Sequence, residues 1–404
     1  MTQAALADVK VLDFMWVMAG PAATRVLADY GATVVRIEST RRLDTARTLA
    51  PFRGGALGAE NSGCFQNLNA GKRMLTLDPS RDGGRRVILD LVRWADVVTE
   101  SFSPGTMQRW GLDYAALSAV KPDLVMLSTC LMGQTGPLAT FAGYGNLAAA
   151  IAGFSNLGGW PDRPPAGPFS AYTDYVSPRF IAAAILAALD HRRRTGTGQY
   201  VDLSQAEASL HFLAPAILDY TVNGRVAGRS GNRDPDHAPH GVYPAPGNDR
   251  WVAIAVTTDA AWQGLCAAMK RPDLAADGRF ADAAGRRAHA DMLDALVSAW
   301  TSSRDAAATQ AALQVRGVSA HVVQTSRDLV HDPQLVHRGH FVTVEHPMGG
   351  TTVVEDSRFV LSRTPASPPA SAPSYGRDND AVLRDILGYD DDVITALVAD
   401  GALE

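Results

Sequence analysis

The sequence predicts an α/β protein: a large, doubly wound parallel-sheet domain joined to a smaller α+β domain. Three observations predict it. A strand, a helix and a second strand follow one another before residue 40. Helix-then-strand patterns recur twice before residue 131. Beyond a turn-rich break near residue 225 the pattern changes to a hairpin followed by helices. Strands that alternate with helices at this spacing form βαβ units, and hence a parallel sheet.

The elements follow in order. "VKVLDF" is a short, β-branched strand. "AGPAATRVLADYGA" is a helix with Pro21 in its first turn and Gly31 at its end, and "TVVRIE" is the second strand. "GRRVILDLVRWADVVTES" is a helix leading to "DVVTES"; "YAALSAVKPDLVMLSTC" is a helix leading to "DLVMLST". Four or so parallel strands place the ligand crevice at their carboxyl ends, where "MAGP" and "ESFSPG" lie. "TRRLDTARTLAPFRGGALGAENSG" has no periodicity and is expected to be an ordered surface loop near that crevice. The chain is mostly helical from about Gly143 to Ala208, and "RVAGRSGNRDPDHAPHG" is a linker. "GVYPAPGNDRWVAIAV" is a hairpin, and the helices after it complete a smaller α+β domain. "VEHPMGGTTVVEDSRFVLSR" returns to strands, and two short amphipathic helices end the chain. The expected boundaries are 1–210 for the large domain, 211–235 for the linker, 236–325 for the small domain, and 326–404 for a return segment.

Composition narrows the function. The 404 residues are 46% apolar and 20% charged, an ordinary soluble balance. A net charge of -5 leaves no basic footprint for nucleic acid. Cys64, Cys130 and Cys266 are widely spaced, with no CxxC, which argues for a reducing compartment and against a disulfide framework or thiolate metal site. No signal peptide and no membrane-spanning apolar run is expected, so a cytoplasmic location is.

Several motifs yield to structural readings. Glu38 ends the second strand, where a dinucleotide fold holds a ribose, but "WVMAGP" lacks GxGxxG. "AGP" is either a tight turn or a set of backbone N–H groups at a helix N-terminus. His331, His337 and His340, and likewise His237 and His240, lack metal-ligand spacing and read as solvated loop histidines. "HRRRTGTGQ" reads as a helix C-terminus, where cations suit the dipole. No G-x-S-x-G elbow or recognisable cysteine nucleophile is present. That leaves carboxylate chemistry, and Asp174 in "AYTDYVSPRF" is its candidate. Ser177 followed by Pro178 reads as a helix start. Asp174 would then lie one turn upstream in a loop, with capping, solvation or catalysis all open from this stretch alone.

Ordered pieces along almost the whole chain resemble the family III CoA-transferases, the group with formyl-CoA and carnitine CoA-transferases. They are "VLDFMWVMAGPAATRVLADYGATVVRIE", "NLNAGKRMLTLD", "ESFSPGTMQRWGLDY", "GQTGPLATFAGYGNLAAAIAGF", "GWPDRPPAGPFSAYTDYVSP", "LAALDHRRRTGTGQYVDLSQAEA" and "DPQLVHRGHFVTVEHP". The resemblance implies an interlocked homodimer with a Rossmann-like large domain built from both termini. It implies coenzyme A and acyl-CoA as substrates, a carboxylic acid acceptor, no permanently bound cofactor and no metal. It places the catalytic nucleophile on Asp174, acting through an aspartyl anhydride and an aspartyl-CoA thioester. It places CoA-contacting positions on Val17, Met18, Ala19, Asn69, Lys72, Ser101, Phe102, Arg109 and Tyr144, with Lys72 and Arg109 suited to CoA phosphates.

Two departures refine it. Formyl-type relatives carry Gln where Met18 stands, and a glycine-rich loop where this chain reads "DPDHAPHGVYPAPG". A larger or more apolar acid, or a dicarboxylate, fits better than an oxalate-sized one. Related racemases place a catalytic His in the segment matching "GYGNLA", where Tyr144 stands, so an acyl-CoA racemase or isomerase reading loses its base. The remaining alternative is a non-catalytic acyl-CoA-binding subunit of a heteromer.

Overall fold

In the computed structural model, residues 4–404 are described. They divide into two compact units. The first comprises residues up to Ser155, Gly167–Ala227 and Gln334–Glu404; the second comprises Asn156–Ala166 and Gly228–Pro333.

The first unit is built on a six-stranded sheet of β1 (Lys10–Phe14), β2 (Thr33–Glu38), β3 (Arg73–Thr76), β4 (Val97–Glu100), β5 (Val125–Cys130) and β6 (Gln199–Ser204). Its order is β3-β2-β1-β4-β5-β6, parallel throughout. β1, β2, β4 and β5 are buried nearly end to end, as parallel strands covered on both faces must be. Alternate residues serve opposite faces. Val11 joins Leu27, Ile181 and Ile185 on one side, and Leu12 joins Val87, Leu91 and Leu117 on the other.

The helices are α1 (Ala19–Asp29), α2 (Gly63–Leu68), α3 (Asp82–Trp94), α4 (Thr106–Arg109), α5 (Tyr114–Val120), α6 (Gly145–Ile151), α7 (Phe154–Leu157), α8 (Tyr172–Thr195), α9 (Gln205–Leu210) and α10 (Ala214–Asn223). α8 ends as expected, with Gly196 left-handed at φ 74 and Arg192 paired with Asp96 at 2.6 Å.

The sequence reading found four of the six strands. β3 is only four residues long, and β6 lies at the sheet edge with Gln199 and Tyr200 exposed, so neither carries a strong apolar signature. The open edge of β3 is covered by the chain's own end. Met74 N–H donates to Asp378 at 2.8 Å, Thr76 N–H to Asn379 at 2.9 Å, and Leu77 bridges to Leu403. The segment 40–63 is mostly exposed, the ordered surface loop that is expected, but a few buried side chains anchor it. Asp44 and Arg47 are fully buried, Arg47 binding Glu38 at 2.8 Å and Asp44 binding Arg36. Glu38 is thereby committed to Arg36, Arg47 and the Tyr375 hydroxyl rather than to a ribose. β10 (Phe341–Glu345) and β11 (Thr351–Glu355) form an antiparallel hairpin in this unit.

The second unit carries the antiparallel sheet β7 (His240–Ala245), β8 (Arg250–Ala255) and β9 (Ser319–Val322), closed over a core around Trp262, Leu265, Phe280 and Val297.

Candidate active site

The strand order changes direction between β1 and β4, and a doubly wound sheet binds ligands outside the strand ends at that switch. A cleft of about 840 Å³ lies there. Val17, Met18, Ala19, Ser101, Phe102, Arg109, Tyr144 and Asp174 all line it.

Its first wall is the turn after β1. Val17 has φ 66, a conformation a β-branched residue adopts only under constraint. The constraint is visible: Val17 N–H donates to Asp44 at 2.9 Å and Trp16 N–H to the Ser101 hydroxyl at 2.8 Å. The buried Arg36–Asp44–Glu38–Arg47 network thus fixes the turn that feeds α1. α1 begins with no side-chain cap, so its first N–H groups are unclaimed by a side chain beside the cleft. Phe102 packs edge-on between Trp16 and Trp110, at 5.7 and 5.2 Å. Arg41, Arg42 and Arg109 also line the cleft. Arg109 donates to the Thr106 hydroxyl at 2.8 Å, and Arg42 stacks over Trp16. Three guanidiniums along one cleft suit a ligand that carries phosphates.

Asn69 and Lys72 do not line the cleft, which corrects their expected placement. The Lys72 ammonium is buried against Asp13 at 3.1 Å, Pro21 O at 3.0 Å and Asn69 at 3.0 Å. "NAGKR" therefore closes the interior of the sheet, and its Lys holds the Asp13 carboxylate. Asp13 also accepts from Thr24, Thr99 and Met15 N–H. Burial raises its pKa, and Lys72 and Arg36 more than reverse that, so it lies below the usual carboxylate value.

Asp174 sits differently from its sequence reading. α8 begins at Tyr172, so Asp174 is in its first turn and Ser177 and Pro178 lie inside it. The Ser177 hydroxyl donates back to Thr173 O at 2.8 Å, a mid-helix use of serine. Pro178 lacks the N–H that would bond the Asp174 carbonyl. The Asp174 carboxyl is only 7% exposed and has no cation partner within ion-pair distance among the described residues. Its donors are neutral: Gln205 Nε2 and the Gly145 N–H. Burial pushes its pKa up to about 6, against the pull of those two hydrogen bonds.

Gly145 and Gln205 are the residues sequence reasoning missed. A Cβ on Gly145 would stand 2.7 Å from the Asp174 carboxyl carbon, so only glycine leaves room. Gln205 opens α9 immediately after β6; its amide also donates to the Thr173 hydroxyl at 3.0 Å, which donates to Gly145 O at 2.9 Å. Its position just past a strand end, at the crevice, was the available signal. No metal-ligating cluster occurs among the described residues, and none of their helices is long and apolar enough to cross a membrane.

Fold and site together define the class: a doubly wound α/β enzyme with a buried carboxylate on the wall of a long, arginine-bearing cleft. More particularly, the chain belongs to the CoA-transferase family III, whose family model matches residues 6–379. It is 33% identical over 396 residues to a succinyl-CoA–D-citramalate CoA-transferase of Chloroflexus aurantiacus, covering 98% of this chain and 97% of that protein. It is 34% identical over 374 residues to a succinyl-CoA:mesaconate CoA-transferase of Haloarcula hispanica, covering 91% and 93%. A CAIB/BAIF family protein of Brucella suis superposes with TM-score 0.86 at 30% identity, covering 96% of this chain and all of that one. The protein is thus a CoA-transferase, moving coenzyme A between an acyl-CoA and an acid.

Proposed function

We propose that Asp174 is the covalent nucleophile of this transfer, and that donor and acceptor are dicarboxylic acids, with succinyl-CoA as donor. The observation that carries the first claim is the environment of Asp174: a buried carboxylate without a counter-ion, held by two neutral donors at the edge of the cleft. A carboxylate stripped of water and of cations keeps its nucleophilicity. The relatives' succinyl-CoA, citramalate and mesaconate support the second claim.

The Asp174 carboxylate attacks the donor thioester carbon. The C–S bond breaks, leaving CoA thiolate and an aspartyl–acyl anhydride. The thiolate attacks the aspartyl carbonyl, releases the donor acid as its carboxylate, and leaves an aspartyl-CoA thioester. The acceptor carboxylate attacks that thioester, expels thiolate and forms a second anhydride. The thiolate then attacks the acceptor-side carbonyl, giving the new acyl-CoA and regenerating the Asp174 carboxylate. Whenever the aspartyl carbonyl is attacked, its oxygen becomes the oxyanion, and the same Gly145 and Gln205 donors stay on it. CoA occupies the cleft through Val17, Met18, Ala19, Ser101, Phe102, Arg109 and Tyr144, and no metal or resident cofactor takes part.

The working form is a homodimer. α10 buries none of its residues, and Leu218 and Val222, one turn apart on the same face, are 58% and 76% exposed, a face suited to a second copy. Sedimentation at low concentration tests this: a folded monomer near 43 kDa would refute it. The nucleophile is tested by incubating the protein with succinyl-CoA and trapping with hydroxylamine. Only the peptide holding Asp174 should be modified; modification of another carboxylate would refute the assignment.

A further inference from the structure

Asp174, Val17, Met18 and Tyr144 line a second chamber of about 760 Å³ as well as the cleft. The second chamber is assembled from parts remote in sequence: residues 45–68, residues 144–146, the start of α8, and the β10–β11 hairpin. Its walls include Leu49, Phe52, Leu68 and Val353. Among the described residues that line it there is one carboxylate, Asp174, and one Lys or Arg, Arg53.

We propose that this chamber receives the acyl group and that Arg53 selects dicarboxylic acids by binding the carboxylate remote from the thioester. The proposal rests on the reading of Asp174 as nucleophile. The ordinary role of an exposed loop arginine is solvation, and three features set Arg53 apart. Like Arg42 and Arg109 of the cleft, it has no acidic partner within ion-pair distance among the described residues, whereas the neighbouring Arg41 and Arg47 each have one, and within the second chamber it stands as the one such cation. It is held in place by a neutral group. Arg53 Nη1 lies 3.2 Å from His346 Nδ1, and that nitrogen also accepts from Met348 N–H at 3.1 Å. His346 Nε2 lies 3.1 Å from Glu60 O, so the proton sits on Nε2 and Nδ1 is an acceptor. His346 is 4% exposed, and burial, with Arg53 next, lowers its pKa, keeping the ring uncharged. Finally, the guanidinium rests on bare backbone: a Cβ at Gly350, where φ is 69, would stand 2.5 Å from Arg53 Nη2.

A guanidinium oriented by an imidazole lone pair keeps its remaining N–H donors for a ligand. A carboxylate matches that fork with two parallel hydrogen bonds. The apolar walls suit the methylenes, or a methyl branch, between the two carboxyl groups. A single acyl chain then has its thioester at Asp174 and its free carboxylate at Arg53, one partner for each end.

The test compares succinyl-CoA with butyryl-CoA, which has the same chain length and a methyl in place of the carboxylate, using one acceptor. The readout is the ratio of their kcat/KM values. Arg53→Met should lower the succinyl-to-butyryl ratio about 10- to 100-fold, mainly through KM, the range expected for one lost charge-assisted pair. Arg53→Lys should recover part of it. Gly350→Ala, which displaces the guanidinium without removing it, should lower the ratio by less. An unchanged ratio in Arg53→Met, or a wild type that prefers butyryl-CoA, overturns the proposal. The two readings fail separately: an active Asp174→Asn refutes the nucleophile, while an inactive Asp174→Asn beside an unchanged Arg53→Met ratio refutes only the acyl site.

Discussion

Asp13 and Asp174 are both buried carboxylates of the parallel-sheet unit, and their surroundings give them opposite characters. Asp13 faces the Lys72 ammonium and is surrounded by hydroxyl and amide donors, so its charge is stabilised below the usual pKa. Asp174 faces only an amide side chain and a backbone N–H, so burial wins and its pKa rises to about 6. A carboxylate neutralised by a lysine is bound to the structure; one ionised at pH 7 without a counter-ion is poised to react. The difference lies in the partners, since burial is nearly the same.

Replacing each by asparagine should separate the two roles. Asp174→Asn should lower CoA exchange by roughly three or more orders of magnitude while the fold survives. It should also make the fold more resistant to denaturant at neutral pH. A raised carboxylate pKa costs stability once the group ionises, fully above about pH 6 and not at all below the unfolded value near 4. The expected gain at pH 7 is on the order of 2 kcal/mol, absent at pH 4. Asp13→Asn should do the reverse. It leaves the Lys72 charge buried without a partner, a loss of about 3–5 kcal/mol by urea unfolding. Because the Asp13 pKa is lowered, its native contribution is present above about pH 4 and fades as pH falls through the folded value. Equal effects of the two variants on stability would erase the distinction.

Gly145→Ala sharpens the comparison from the other side, because it touches the nucleophile without changing it. The new methyl would meet the carboxyl carbon at 2.7 Å, so Asp174 must leave its donors. Turnover should fall about 100-fold, the scale of one misplaced reacting group, with little change in the KM for CoA. Unaltered kcat would mean that the carboxylate position is not fixed by this contact.

Arg109 and Lys72 form a second contrast, because the sequence suggested one duty for both. Arg109 lines the cleft; Lys72 holds Asp13. Arg109→Ala should raise the KM for succinyl-CoA about tenfold with kcat nearly unchanged, since a phosphate contact is present in ground and transition states alike. Lys72→Met should instead lower stability. A KM effect confined to Lys72 would reverse the assignment.

The same contrast explains what the sequence could show. β1, α1 and β2 announce themselves because apolar periodicity and a Pro-to-Gly helix frame act locally. The crevice follows from topology alone. Asp174 was singled out, but its helix was started too late, because Ser177-Pro178 mimics an N-terminus that the longer helix overrides with a hydroxyl-to-carbonyl bond inside α8. Lys72 looked like a phosphate ligand because a lysine beside glycine carries no mark of its burial; only the fold brings Asp13 to it, 59 residues away. The second chamber was illegible for the same reason. His346 reaches Arg53 across 293 residues of chain, and no local pattern records that meeting.

The smallest expected effect is the most informative about how Asp174 is tuned. Gln205 Nε2 donates to the carboxylate and so favours its ionised form; burial opposes it. A nucleophilic carboxylate must be ionised, so kcat/KM should rise with pH along an acidic limb with its midpoint near 6. Gln205→Leu keeps the approximate volume and removes the donor, leaving Gly145 N–H and burial. The folded pKa must then rise, moving the limb's midpoint up by about one unit, the scale of a hydrogen bond to a charged group. At pH 7 the ionised fraction then falls from about nine-tenths to about one-half, so activity should fall about twofold, and raising the pH to 8.5 should restore nearly all of it. A purely structural role for Gln205 would lower activity equally at every pH and leave the midpoint in place. Gln205→Glu offers the complementary check: a second carboxyl beside Asp174 should push the limb still higher. If neither substitution moves the midpoint, the amide is packing rather than tuning, and the raised pKa of Asp174 belongs to burial alone.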